Sequence, residues 1–111
     1  MSSIDLKVFN ELKDATGADF IGELVQAFLE DAPSQIAQMQ SALTGQDAES
    51  FRRAAHTLKS NAATFGATDL SGLARELEML GREKNLEVGN RLQVLEEAFD
   101  QVKNQLNELI R

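Results

Sequence analysis

The chain has no cysteine, no tryptophan and no tyrosine, and only one proline and one histidine in 111 residues. Without cysteine there can be no disulfide, no thiolate nucleophile and no thiolate metal ligand, so burial alone must hold the fold together. With one histidine, His56, a zinc site would have to take its other ligands from carboxylates or water. Positive charge is scarce as well. Eleven Lys and Arg against eighteen Asp and Glu leave a net charge of −7 and a pI near 4.6. A field of that sign disfavours non-specific contact with nucleic acid or an anionic membrane. No apolar run approaches the roughly 18–20 residues that cross a bilayer. Residues Met1 to Asp5 contain no basic stretch leading into an apolar one, so no targeting segment is expected.

What is present suffices for one domain. Hydrophobic residues make up 42% of the chain, which is too short for two ordinary domains, so residues 1–111 are read as a single unit. The apolar spacing is helical nearly throughout. Ile21, Leu24, Val25, Phe28, Ala32, Ile36, Met39 and Leu43 step by three and four, predicting a long helix that Asp19 caps and Gly45 follows. Pro33 inside it predicts a kink near Glu30; the alternative is a break at Asp31-Ala32-Pro33, with Pro33 opening a new helix. A shorter helix, Asp5 to Asp14, precedes it with Leu6, Phe9 and Leu12 on one face, too short to stand alone in water.

Asp47 reads as the cap of a third helix, with Phe51, Ala54, Ala55, Leu58, Ala62 and Phe65 inward and Gly66 as its stop. A fourth begins at Thr68 or Asp69, buries Leu70, Leu73, Leu77 and Leu80, and ends at or near Gly81. The last is expected from about Asn85, with Leu92, Leu95, Phe99, Val102, Leu106 and Leu109 in bundle spacing. Short connections make neighbours antiparallel. The predicted fold is all-α: an up-down-up-down four-helix bundle with a short additional N-terminal helix. The rival for the last helix is a coiled coil that pairs two chains.

Charge is unevenly spread. Residues 1–46 sum to −5, residues 67–82 to −1 and residues 83–111 to −2, whereas residues 47–66, which hold His56, sum to +1. At about 100° per residue with Phe51 at zero, His56 falls near 140°, Arg52 near 100°, Lys59 near 80°, Ala63 near 120° and Ser60 near 180°. The histidine therefore stands on the solvent side of its helix. The positions three and four residues away are Arg52, Arg53, Lys59 and Ser60, which would repel a cation and attract an anion. No spacing identifies a nucleophile elbow or an orienting acid. Two readings remain. One is an ordinary surface histidine with solubilising neighbours, Arg52 pairing along the helix with Glu49. The other is an imidazole that is itself the nucleophile, largely neutral near pH 7 by its ordinary pKa of about 6.5. Lys59, one turn on, would then make a charge-assisted contact to the transferred group. The small Ala63 leaves room for an approaching protein.

The segment His56-Thr57-Leu58-Lys59-Ser60-Asn61-Ala62-Ala63-Thr64-Phe65-Gly66, followed by Leu70, Ala74, Leu77-Glu78 and Arg82, resembles the signature of histidine-containing phosphotransfer (HPt) domains of two-component phosphorelays. The resemblance implies that His56 is the phosphorylated residue and Lys59 the phosphate-stabilising one. It places Glu78 where some members hydrogen-bond the histidine ring, which would hold Nδ1–H and leave Nε2 as nucleophile. Arg82 matches the final basic residue of the pattern, and Ser60 stands where the family usually has glycine. Arg52, Ser60 and Ala63 are expected on the partner-docking face, with exposed residues of the long helix.

The implied partners are response-regulator receiver domains, or a hybrid sensor kinase. Mg²⁺ is expected in the partner and no cofactor or metal in this chain. No nucleic acid and no direct membrane contact are expected, and a monomer is. The implied location is cytoplasmic, either free or as the cytoplasmic part of a larger membrane-anchored sensor. No glycine-rich loop with lysine and no strand–helix alternation is present to hold ATP, so the chain is expected to carry a phosphoryl group without making one. The alternatives are a bundle that binds proteins but has lost phosphotransfer, a structural helical dimer, and an HPt-like domain of a larger kinase.

Overall fold

A computed structural model describes residues 3–111. Five helices, α1 (Leu6–Thr16), α2 (Ala18–Thr44), α3 (Ala48–Thr64), α4 (Thr68–Arg82) and α5 (Arg91–Leu109), account for the regular structure of the described residues. Helix α3 packs against α2, α4 and α1, and α5 closes the bundle against α4 and α2. The result is an elongated bundle of 42 × 25 × 18 Å.

Most of the predicted stripe residues form the core; Leu24, Leu43, Leu73, Leu80 and Leu109, expected inward, are only partly buried against it, and Ala74 is buried on α4 beside Leu70 and Leu77. Val25, Ala32, Met39, Phe51, Ala55, Leu58, Ala62, Leu70, Ala74, Leu77, Leu95 and Leu106 have no exposed surface. Phe28 joins three helices, its ring 5.1 Å from Phe65 and 6.1 Å from Phe99 in an edge contact. The α5 stripe, Leu92 through Leu106, is buried inside this chain, so its apolar seam is used in forming the bundle.

Several expectations at the helix ends are corrected. The long helix starts at Ala18 with Gly17 at its N-cap and no side-chain cap, leaving Asp19 in the first turn. Gly17 serves both neighbours: its N–H donates to Lys13 of α1, and its carbonyl accepts from Phe20 and Ile21. At φ 97° it occupies backbone space suited to glycine. Pro33 lies inside one unbroken helix, so the alternative of a break there is overturned. Asp47 does cap α3, accepting from the Ser50 backbone N–H at 3.0 Å and from its hydroxyl at 2.7 Å.

At the N-terminus Asp5 caps α1 by accepting from Lys7 N–H. Leu6, expected inward, is 47% exposed, and Ile4 is buried in its place. Ile4 and Phe9 flank the cap at the positions where an apolar pair fixes the entry of the chain. The last helix begins at Arg91, later than expected. Asn85 instead accepts from Glu87 N–H in a turn, Lys84 and Gly89 take positive φ, and Val88 is buried under this loop.

The two glycines near the α3–α4 pair have different tasks. Gly66, at φ 81°, turns the chain, and its carbonyl accepts from Asp5 N–H at 2.7 Å. A Cβ there would lie 2.7 Å from the Asp5 carbonyl oxygen. Gly81 lies one residue before the end of α4 at Arg82, near the end as expected. It is buried where an added Cβ would lie 3.1 Å from the Arg52 backbone, so it allows α3 and α4 to approach.

Candidate functional site

Close packing of α3 on α4 builds the site. Alanines at 54, 55, 62 and 74 bury small surfaces, and Gly81 seats against Arg52. The Ser71 hydroxyl donates to the Lys59 carbonyl at 3.0 Å, tying the other end of the pair. Between those two ties, Glu78 follows Leu77 on the inner side of α4, and its side chain is only 3% exposed. A carboxylate buried to that degree needs partners. It finds them on α3 and on its own helix.

Oε2 of Glu78 lies 2.7 Å from Nδ1 of His56, and Oε1 accepts from Nζ of Lys59 at 2.6 Å. The Arg82 guanidinium, one turn further along α4, reaches Oε2 at 3.4 Å. Burial pushes the Glu78 carboxyl upward, but the hydrogen bonds from Lys59 and His56 outweigh it, and the net effect holds the carboxyl below its ordinary range. Glu78 is therefore ionised near neutrality. An ionised carboxylate only accepts, so Nδ1 must carry the proton of this contact. The neutral ring then has its lone pair on Nε2.

The ring is not enclosed. The His56 side chain is 53% exposed, whereas Lys59 is 28% exposed and bridges from α3 across to the buried acid. This arrangement presents a nucleophilic nitrogen to solvent, with an opposite charge behind the ring and an ammonium beside it. It can accept an electrophilic group from another molecule and steady the positive charge that builds on the imidazole. Among the described residues no group of three or more His, Asp, Glu or Cys is placed to hold a metal ion. No helix among the described residues is long and apolar enough to cross a membrane.

The residues expected at the site are thus distributed in two sets. His56, Lys59 and Glu78 come together. Ser60 and Ala63 are exposed on the following turns, and the Ser60 carbonyl accepts from the Thr64 hydroxyl. Arg52 turns away to Glu49, donating to both its oxygens at 2.5 and 3.1 Å, which is the pairing along the helix that the spacing allows. The reading of the sequence did not place Arg82 on Glu78, nor Lys59. The i,i+4 spacing signalled the first contact; the second spans two helices and has no local signature.

Comparison with known proteins agrees with this geometry. The Hpt domain family model matches residues 23–111. A search of the curated proteins by sequence finds no match. Among solved structures, the chain is similar to histidine-containing phosphotransfer protein B (HptB) from Pseudomonas aeruginosa PAO1, with a TM-score of 0.89 and 24% identity over 97% of this chain and 94% of that one. That likeness bears on the fold and the family match on the kind of chemistry; together with a half-exposed histidine backed by a buried acid, they establish that the chain belongs to the Hpt domain family of histidine phosphotransfer modules in two-component phosphorelays.

Proposed function

We propose that this chain is a phosphorelay intermediate in which His56 accepts a phosphoryl group from the aspartyl phosphate of one receiver domain and passes it to the aspartate of another. The observation that carries the reading is the exposed imidazole whose Nδ1 is held at 2.7 Å by the buried Glu78. In the forward step the Nε2 lone pair attacks phosphorus, the Nε2–P bond forms, and the O–P bond of the acyl phosphate breaks. The departing carboxylate takes the bonding electrons. No proton has to move, because Nδ1–H stays on the ring and the growing imidazolium charge faces Glu78. The reverse of the same step loads the second receiver.

Each residue has a separate part. His56 forms the covalent bond. Glu78 is a positioning residue that sets the tautomer and keeps the phosphorylated ring protonated, which preserves its capacity to transfer. Lys59 supplies positive charge to the transferred group. Arg52, Ser60, Ala63 and exposed residues of α2 form the docking face, the small residues allowing close approach. The receiver brings its own carboxylates and Mg²⁺. In-line placement accounts for most of the acceleration, and the chain turns over a phosphoryl group only as a stoichiometric carrier.

Incubation with a panel of phosphorylated receivers tests this reading. Wild type should acquire acid-labile, base-stable label, and His56→Gln should acquire none. Absence of transfer from every receiver, or equal labelling of the variant, would overturn it.

A further inference from the structure

The Glu78 carboxylate is shared among three donors that are not equivalent. His56 and Lys59 hold it at 2.7 and 2.6 Å, near the short end for charge-assisted contacts. Arg82 stands off at 3.4 Å on the same oxygen that takes His56 Nδ1, with 67% of its side chain in solvent. Lys59 thus has full contact with the acid before any phosphoryl group is present, while Arg82 keeps slack.

Phosphorylation of His56 changes what Lys59 must do. The ammonium is one turn from the ring on the same helix, and a phosphoryl group on Nε2 brings three charged oxygens within its reach. Turning toward them removes the donor that Lys59 places on Glu78 Oε1 and leaves a carboxylate that is 3% exposed with its ring contact and the long Arg82 contact, both on Oε2. An acid so buried does not stay charged without a replacement. The groups facing it are few. From α3 they are His56, Lys59 and the more distant Arg52, and from α4 Arg82. Arg52 is already committed to both oxygens of Glu49. Only Arg82 combines proximity, charge and freedom to advance.

We propose that Arg82 is a positioning residue that takes over the Glu78 carboxylate when Lys59 turns from it to a phosphoryl group on His56. The proposal rests on the phosphohistidine reading above and adds an exchange of cations to it. Closing the 3.4 Å gap lets the guanidinium fork fill the place that Lys59 leaves at Oε1 while His56 Nδ1–H keeps its contact with Oε2. Glu78 then remains ionised through the whole cycle, and Nδ1 remains protonated.

The test uses the full chain labelled with ¹⁵N at the arginines, the Arg82 guanidinium resonances being identified by their loss in Arg82→Gln. Phosphoramidate serves as donor: its P–N bond breaks, the Nε2–P bond forms, and ammonia leaves with the bonding pair. Hydrogen exchange of the Arg82 guanidinium N–H groups is followed near neutral pH, where phosphohistidine persists, in wild type and Glu78→Gln, before and after phosphorylation. On phosphorylation the wild-type exchange should slow by about threefold or more, and that of Glu78→Gln, which offers no charged acid, should not change. Unchanged exchange in phosphorylated wild type, or equal slowing in Glu78→Gln, overturns the exchange of cations. Failure of wild type to take phosphorus on His56 overturns the phosphohistidine reading itself, and the exchange with it.

Discussion

The buried carboxylate of Glu78 and the half-exposed ring of His56 are 22 positions apart in the chain, yet Oε2 and Nδ1 are 2.7 Å apart. Solvent reaches the ring from one side and a fixed negative charge faces it from the other. A histidine on a helix surface would otherwise rotate freely and divide its proton between two nitrogens. Here the acid chooses for it.

Removing the acid should therefore slow chemistry without unmaking the nucleophile. Glu78→Ala is expected to reduce the initial rate of His56 phosphorylation by about 10- to 100-fold, by analogy with the loss of a carboxylate that orients a metal-bound histidine. The ¹⁵N shifts of the ring should move toward a mixture of tautomers. An unchanged rate with unchanged shifts would show that Glu78 is merely a buried charge.

The same carboxyl links stability to acid. Its folded pKa is depressed, so its contribution is present above the ordinary glutamate value of 4.5 and is lost as pH falls through the lower folded value. In urea titrations wild type should be more stable than Glu78→Gln near pH 7, and the gap should close as pH falls from 4.5 through the lower folded value. A gap that persists unchanged into that acid range would contradict the ionised, paired state.

Gly66 should tolerate no side chain. At φ 81° an L-residue is strained by about 1–2 kcal/mol. The added Cβ would also press on the Asp5 carbonyl oxygen, whose neighbouring N–H is bonded to Gly66. Gly66→Ala is expected to lower unfolding stability by at least that amount, read as a lower urea midpoint at constant slope. A loss below about 0.5 kcal/mol would mean that the turn relaxes freely.

Pro33 offers the opposite sign. It is exposed in the middle of an unbroken helix and cannot donate to the Leu29 carbonyl. Replacement by alanine restores that donor and removes the ring clash, a gain of about 3 kcal/mol in a helix interior, less up to ~1 kcal/mol for the freer unfolded chain. Pro33→Ala should therefore stabilise by about 2 kcal/mol in urea unfolding. Destabilisation would show that the proline shapes α2 in a way the bundle requires.

Periodicity and turn chemistry carried much of this protein into view from the residues alone. Apolar steps of three and four are a local property of a helix, so the core stripes of α2, α3, α4 and α5 were readable, as was the solvent side on which His56 stands. The Asp47 cap and the Gly66 turn were readable for the same reason: each depends on neighbours a few residues away. The helix starts at Ala18 and Arg91 were not, because Gly17 closes one helix while opening the next and Val88 is drawn under the bundle by other helices.

The site divides along the same line. His56 and Lys59 share a helix, and 3.6 residues per turn puts them on neighbouring faces whatever surrounds them. Their meeting with Glu78 depends on how closely two helices pack, which follows from Gly81 against Arg52 and from alanines that keep the gap small. Which nitrogen bears the proton, and that Lys59 rests on the acid, are decided by that distance between helices, whereas Arg82 reaches the same acid along its own helix. Local pattern places the histidine on the solvent side of its helix; only the packed pair gives it a buried counter-charge.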